Sequence, residues 1–124
     1  MGTFNATFEI ANLAGERFVE VNALADTGSM YTIIPANVLV RLGAQIEGRR
    51  RFELADNSVV EYPVGQVRMR LEGQELVVLT VFASEEADPL LGVTALEIFG
   101  LGADPINQRL IPIPALLKIG RAHV

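Results

Sequence analysis

The feature that most constrains this sequence is an acidic loop held between two apolar segments. Leu24-Ala25 leads into Asp26-Thr27-Gly28-Ser29, and Ile33-Ile34 follows shortly after. Short apolar runs bounded by turn residues are typical of buried strands. The pattern therefore predicts that the carboxylate of Asp26 stands on a tight loop where a buried strand ends.

Alternation of apolar and polar residues predicts further strands. We expect an opening hairpin over residues 4–10 and 17–23. A longer hairpin is expected over residues 51–64, with a turn at Ala55-Asp56-Asn57-Ser58, where Asp and Asn tolerate left-handed conformations. The remaining strands are predicted at 67–71, 76–82 and 109–113. The sequence thus predicts a mostly β fold.

Two short helices are predicted between the strands. The first extends from Pro35, which suits a first helical turn, to Gly43, which can take the left-handed conformation that ends a helix. The second begins with a capping box, in which Thr94 is the N-cap and Glu97 is three residues further on, and ends at Gly100.

Length, composition and charge limit the function classes. The 124 residues suffice for one hydrophobic core, so we expect a single domain over residues 1–124, with its core at about 4–113 and a C-terminal extension at 114–124. The net charge of −5 disfavours nucleic-acid binding. The absence of cysteine excludes disulfides and thiolate metal sites, and we expect no metal or organic cofactor. With no signal-peptide pattern and no apolar run near the roughly 18 residues of a membrane span, we expect a cytoplasmic protein without membrane contact.

A second motif, in the other half of the chain, completes a family resemblance. Asp88-Pro89-Leu90-Leu91-Gly92 begins 62 residues after Asp26 and precedes the second helix. An Asp-Thr-Gly loop opposite an apolar-apolar-Gly turn resembles the retropepsin-like aspartic proteases of clan AA, particularly the bacterial and cellular single-domain type. The resemblance covers about residues 4–112. It implies a retropepsin-like closed β-barrel or sandwich in which the hairpin over 51–64 is the flap that closes over substrate.

The resemblance also implies a reaction and a partner. Hydrolysis by carboxylates alone uses two of them, because one takes a proton from water while the other donates a proton to the carbonyl oxygen. This chain has one Asp-Thr-Gly, and Asp88 is interpreted as part of a loop. The second Asp26 would therefore come from another copy across a two-fold axis. The implied protein is a homodimeric aspartic endopeptidase acting on peptide or protein substrates.

The family resemblance implies roles for the residues around Asp26. Thr27 would hydrogen-bond across the dimer axis, Gly28 would let the backbone approach substrate, and Ser29 would hydrogen-bond the outer oxygen of Asp26. Leu90-Leu91-Gly92 would pack behind the loop. The implied catalytic set is Asp26, Thr27 and Gly28, and the implied substrate-binding set is Ser29, Ile33, Ala55, Asp56, Asn57, Leu91 and Val93.

The sequence also departs from the retroviral pattern at two places. Retroviral members pair an Arg after the apolar-apolar-Gly turn with an Asp two positions past the Gly of the active motif, and here these positions hold Val93 and Met30. The turn at residues 55–58 contains no glycine. Two alternatives therefore stay open: a dimerisation or peptide-binding module with little or no hydrolysis, and a monomeric β-barrel binding domain unrelated to proteases.

Overall fold

The computed structural model describes residues 3–114. Within them the elements are β1 (Phe4–Ala11), β2 (Val19–Ala25), β3 (Thr32–Pro35), α1 (Ala36–Leu42), β4 (Gly48–Glu53), β5 (Val59–Leu71), β6 (Gln74–Ala83), β7 (Leu90–Leu91), α2 (Val93–Phe99), β8 (Leu101–Asp104) and β9 (Arg109–Pro112). The prediction of a mostly β fold with two short helices is confirmed. The expected C-terminal extension, residues 114–124, lies outside the described residues except for Pro114.

Seven strands form one sheet, in the order β1-β2-β7-β3-β6-β5-β4. β1 also pairs with β5, where Ile10 lies opposite Met69, so the strand pairing returns to its starting point. β4 extends from β5 outside this ring of pairings, and β8 and β9 form a separate two-stranded sheet. We call β4, its turn and the first part of β5 (residues 48–64) the flap hairpin.

The core is built from the alternate residues predicted to face inward. In β1 these are Phe4, Ala6, Phe8 and Ile10, and all four are buried in a common hydrophobic cluster. Two polar side chains are buried, and each has a backbone partner: the Thr80 hydroxyl donates to the Thr32 carbonyl oxygen at 3.2 Å, and the Thr32 hydroxyl oxygen accepts the Gly92 amide at 3.1 Å. Pairing satisfies polar groups that would otherwise be costly to bury. Within residues 3–114, no helix is long and apolar enough to span a membrane.

The helix C-termini and the flap turn follow the predicted glycine and asparagine positions. Gly43 has φ 84° and ends α1, and Gly100 has φ 69° and ends α2. Asn57, in the turn of the flap hairpin, has φ 71°. Each is in the left-handed region that Gly tolerates freely and Asn more readily than most residues.

Several elements differ from the prediction, and three of the differences have a clear cause in the pairing. The segments expected at 59–64 and 67–71 form a single strand, β5, because Gly65 and Gln66 continue the pairing with β6. Helix α2 begins at Val93 with Gly92 as N-cap, so the predicted capping box at Thr94 is wrong. The strand β8 was not predicted, since Leu-Gly-Ala-Asp has no strong strand pattern and is ordered by pairing with β9.

Candidate active site

Asp26 opens the connection between β2 and β3, which we call the Asp loop (residues 26–31). Its amide donates to the Leu91 carbonyl oxygen at 3.1 Å, and its own carbonyl accepts the Ser29 amide at 3.1 Å. Its Oδ1 accepts the Gly28 amide at 2.8 Å. The residue is half-buried. The backbone therefore holds the carboxylate in place while part of it stays accessible.

The two strands beside the Asp loop are both paired with the short strand β7. Leu24 lies opposite Leu90 and Ala25 opposite Leu91 in a parallel pairing with β2, and Ile33 lies opposite Leu90 in an antiparallel pairing with β3. Because a strand can pair along both edges, the two residues of β7 fasten both ends of the loop. The side chain of Leu91 is fully buried behind it.

The start of α2 holds the loop from the other side. The amide of Val93 donates to the Ser29 carbonyl oxygen at 2.8 Å, and the amide of Thr94 donates to the Met30 carbonyl oxygen at 3.0 Å. The first amides of a helix have no partner within the helix, so these carbonyls satisfy donors that need an acceptor. The amide of the N-cap Gly92 donates to the buried Thr32 hydroxyl oxygen at 3.1 Å. This use of the amides explains why α2 begins before Thr94.

A pocket of about 520 Å³ opens between the Asp loop and the flap hairpin. Most of its walls are apolar or aromatic, which favours apolar side chains as occupants. Gly28, next to the candidate acid, forms part of its rim. The pocket is lined by Gly28, Ser29, Met30, Tyr31 and Ile33, by Phe52, Glu53, Leu54 and Tyr62 of the flap hairpin, and by Val81, Ala83 and Ala87.

Comparison with known proteins identifies the family. A family model described as "Aspartyl protease" matches residues 9–95, which is more than half of the chain and includes both the Asp loop and the Leu91-Gly92 turn. The chain belongs to the aspartyl protease family. No curated protein sequence matches it.

A solved structure shows the fold of this family member. The chain is similar to one in "Structure of the foamy viral protease-reverse transcriptase in complex with RNA/DNA hybrid", with a TM-score of 0.55 and 12% sequence identity. The match covers 94% of this chain and 13% of the viral chain, so this protease-family chain corresponds to a small part of a much longer one. The likeness confirms the predicted retropepsin-like fold.

Two of the predicted site contacts are wrong. The Ser29 hydroxyl donates to the Tyr31 carbonyl oxygen at 3.0 Å rather than to the Asp26 carboxylate, because the loop turns that carbonyl toward it. Ser29 instead lines the pocket. Leu91 is 0% exposed and belongs to the hydrophobic core, so its predicted role as a pocket wall is not supported. Its packing behind the loop agrees with the other predicted role.

The remaining predicted binding residues lie in two places. Ile33 lines the pocket together with Gly28, whereas Val93 lies at the start of α2 and is not among the lining residues. Ala55, Asp56 and Asn57 form the exposed turn of the flap hairpin. Their contact with substrate stays a prediction.

The turn of the flap hairpin has its own hydrogen-bond network. The Asp56 carboxylate accepts the Ser58 hydroxyl at 2.6 Å and the Ser58 amide at 2.9 Å. These two bonds hold the pKa of Asp56 below its ordinary value, and the bond from the Ser58 hydroxyl has the larger effect. Where retroviral flaps have glycine, the Asp56 carboxylate with its bonds to Ser58 and a left-handed Asn57 shape this turn.

Sequence reasoning missed the aromatic side of the pocket. Phe52 could have been found from strand alternation, which places it on the same face of β4 as Arg50. Tyr62 lies opposite Arg50 in the β4–β5 register. Tyr31 carries no local signal, because its contact with Phe52 joins residues far apart in sequence.

Asp88 does not join the Asp loop. Asp88 is exposed and lies before β7, outside the register that pairs Leu90 with Leu24. The bonds that hold the Asp loop come from Leu91, Gly28, Val93 and Thr94, and none comes from Asp88. Among residues 3–114, no group of three or more His, Cys, Asp or Glu side chains is arranged to hold a metal ion.

Proposed function

We propose that the chain is an aspartic endopeptidase whose catalytic centre consists of Asp26 from each of two copies. The observation that carries this proposal is the placement of Asp26 on a family-typical Asp-Thr-Gly loop that is fastened by β7 and α2. Its carboxylate is oriented by the Gly28 amide at 2.8 Å and stays partly exposed. A Cβ at Gly28 would lie 3.2 Å from Asp26 Oδ1, so glycine keeps the space beside the acid free.

The need for a second copy follows from the chemistry. One ionised carboxylate takes a proton from water as the water oxygen bonds to the substrate carbonyl carbon, and a second, protonated carboxylate gives its proton to the carbonyl oxygen. Collapse of the tetrahedral intermediate then breaks the C–N bond: the carboxyl group that took the water proton passes it to the amine nitrogen, and the other carboxylate takes a proton from a hydroxyl of the intermediate, which restores the pair. Asp88 lies in the segment before β7 and forms no hydrogen bond with the Asp loop, so it supplies no second acid there. A second Asp26 across a two-fold axis supplies the missing acid.

The surroundings of the loop suit such an arrangement. Thr27 is exposed at the turn, where it can meet its counterpart. Met30, within the Asp loop, is 64% exposed, and the half-buried Val93 stands at the start of α2, where the next amide, of Thr94, donates to the Met30 carbonyl oxygen. Apolar contact between copies at Met30 would replace the ion pair of retroviral members. The substrate is an extended peptide that places an apolar side chain in the pocket beside Gly28.

Cleavage of a denatured-protein peptide pool at about pH 4–6, read by mass spectrometry, tests the proposal, because a carboxyl pair that shares one proton works in this range. Asp26→Asn is the test variant. Asp88→Asn is the matched control, since it makes the same chemical change on an exposed acid outside the Asp loop. We expect cuts by the wild type and the control, and a loss of at least about a hundredfold in Asp26→Asn.

Mixing the two proteins tests the shared centre. A tenfold excess of Asp26→Asn should lower the activity per wild-type chain about tenfold, because most wild-type chains then pair with a copy that lacks the acid. Activity that is indifferent to the added variant would exclude a centre shared between copies. Absence of cleavage by wild-type protein that sediments as a dimer would refute the endopeptidase and favour the peptide-binding module.

A further inference from the structure

Tyr31 lies where the Asp loop passes into β3, and its backbone is fixed on two sides. Its carbonyl oxygen accepts the Ser29 hydroxyl at 3.0 Å. The chain at Gly92 passes so close that a Cβ there would lie 2.5 Å from the Tyr31 carbonyl carbon. The backbone of Tyr31 is therefore a rigid part of the Asp loop.

The side chain of Tyr31 reaches from the loop to the flap hairpin. Arg50 Nη1 donates to the Tyr31 hydroxyl oxygen at 2.7 Å, and the guanidinium carbon lies 5.7 Å from the centre of the Tyr31 ring. The ring of Phe52 meets the Tyr31 ring edge-on, with 5.4 Å between centroids and 84° between planes. A charge-assisted hydrogen bond and an edge-to-face aromatic pair thus act on the same side chain.

Strand alternation explains why Arg50 and Phe52 share this partner. Residues two apart in a strand lie on the same face, and the neighbours Arg49 and Arg51 lie on the other, where Arg49 pairs with Glu61 at 3.0 Å. In the part of the chain that the structure describes, the Arg50–Tyr31 bond is the only side-chain hydrogen bond between the flap hairpin and the Asp loop.

We propose that Tyr31 is a positioning residue that, through Arg50, fixes the flap hairpin relative to the Asp loop. Tyr31 and Phe52 are walls of the pocket beside Gly28, so the position of the hairpin decides how closely the pocket surrounds a substrate side chain. For substrate binding this inference rests on the proposed function, whereas the mechanical link exists independently of any cleavage. Because Asp26 is held by its own bonds to Leu91 and Gly28, loss of the link should weaken binding and leave the chemical step largely intact.

Hydrogen–deuterium exchange of the full chain, read by mass spectrometry, tests the link. Tyr31→Phe removes the hydroxyl and keeps the ring, and Arg50→Gln removes the cation. Tyr62→Phe is the control for the first, because Tyr62 lines the same pocket and packs on Phe52, while its hydroxyl forms no hydrogen bond with another described residue. Arg51→Gln is the control for the second, since it makes the same charge change on the opposite face of β4.

We expect exchange of the amides in residues 48–60 to accelerate about three- to tenfold in both test variants, with β1 unchanged and the controls like wild type. The double variant should be no faster than the single ones, because each removes the same bond. With a cleaved peptide as substrate, Tyr31→Phe should raise KM by a similar factor and change kcat by less than about twofold.

Two results would overturn the inference: unaltered exchange of the flap hairpin in both test variants, or equal acceleration in the controls. If wild-type protein cleaves no peptide, the proposed function fails, and the exchange measurement still decides whether Tyr31 holds the hairpin. An increase in exchange together with a fall in kcat at constant KM would refute the assignment of Tyr31 to substrate binding.

Discussion

Gly92 is the position at which one methyl group should do the most damage to the candidate site. A Cβ there would lie 2.5 Å from the Tyr31 carbonyl carbon, 2.6 Å from the Tyr31 carbonyl oxygen and 2.8 Å from the Met30 carbonyl oxygen. Non-bonded carbon contacts are comfortable at roughly 3.5 Å, so the two segments must separate by about 0.5–1 Å. The φ of Gly92 is −93°, which alanine also adopts, so the effect of Gly92→Ala is steric rather than conformational.

The size of the effect follows from what that separation disturbs. Forcing extra volume into a packed region costs about 1–3 kcal/mol. The same movement stretches the bonds from Val93 to Ser29 at 2.8 Å and from Thr94 to Met30 at 3.0 Å, and each is worth about 1 kcal/mol. We expect Gly92→Ala to lower the free energy of unfolding by about 3 kcal/mol. A displaced Asp loop should also lower peptide cleavage by on the order of a hundredfold.

Urea unfolding followed by far-ultraviolet circular dichroism measures the change, with all proteins at one concentration because association adds to apparent stability. Gly48→Ala is the matched control. It lies in β4, and a Cβ there meets nothing within 4 Å, so the same added methyl group should change stability by less than about 1 kcal/mol. Equal losses in the two variants, or a Gly92→Ala protein as stable as wild type, would refute the steric argument.

Two further predictions concern single hydrogen bonds. Thr32→Val keeps the side-chain shape but leaves the buried Gly92 amide, now 3.1 Å from the Thr32 hydroxyl oxygen, without its acceptor. It should lower the free energy of unfolding by about 1–3 kcal/mol in the same urea experiment, and an unchanged midpoint would contradict the assigned bond. In the flap turn, the Ser58 hydroxyl and amide hold the pKa of Asp56 below its ordinary value. Since the folded pKa is depressed, the bonds stabilise the turn above the ordinary pKa of Asp and are lost as the pH falls through the folded value. Ser58→Ala should raise the pKa of Asp56 toward the ordinary value in an NMR titration, and a pKa that stays in place would show that the hydroxyl is not the main cause.

Local sequence signals predicted the elements whose ends depend on a single residue. Gly43 and Gly100 end the helices because glycine adopts positive φ with little cost, and this property acts without any distant contact. The start of α2 could not be predicted in the same way. Its first amides bond to carbonyl oxygens of Ser29 and Met30, more than 60 residues earlier in the chain, so the helix begins at Val93 instead of after the Thr94 hydroxyl.

The candidate site also has features that local residues determine and features that distant contacts determine. The position of Asp26 on a loop after a buried strand was predictable, because an apolar run, an acid and a glycine stand next to each other in sequence. The Ser29 contact was predicted wrongly, because the direction of a hydroxyl depends on which carbonyl the folded loop brings near. The burial of Leu91 depends likewise on the pairing of β7 with two strands that lie far away in sequence.

By itself, the sequence determined the mostly β fold, the acidic loop and the family resemblance. These rest on the alternation of apolar and polar residues, on turn residues and on the short Asp-Thr-Gly motif. Only the tertiary structure decided what surrounds the acid. The pocket between the Asp loop and the flap hairpin, and the link from Tyr31 to Arg50 and Phe52, arise where segments far apart in sequence come together. Such contacts are set by strand order and packing, and no local pattern of residues encodes which distant side chain will be the neighbour.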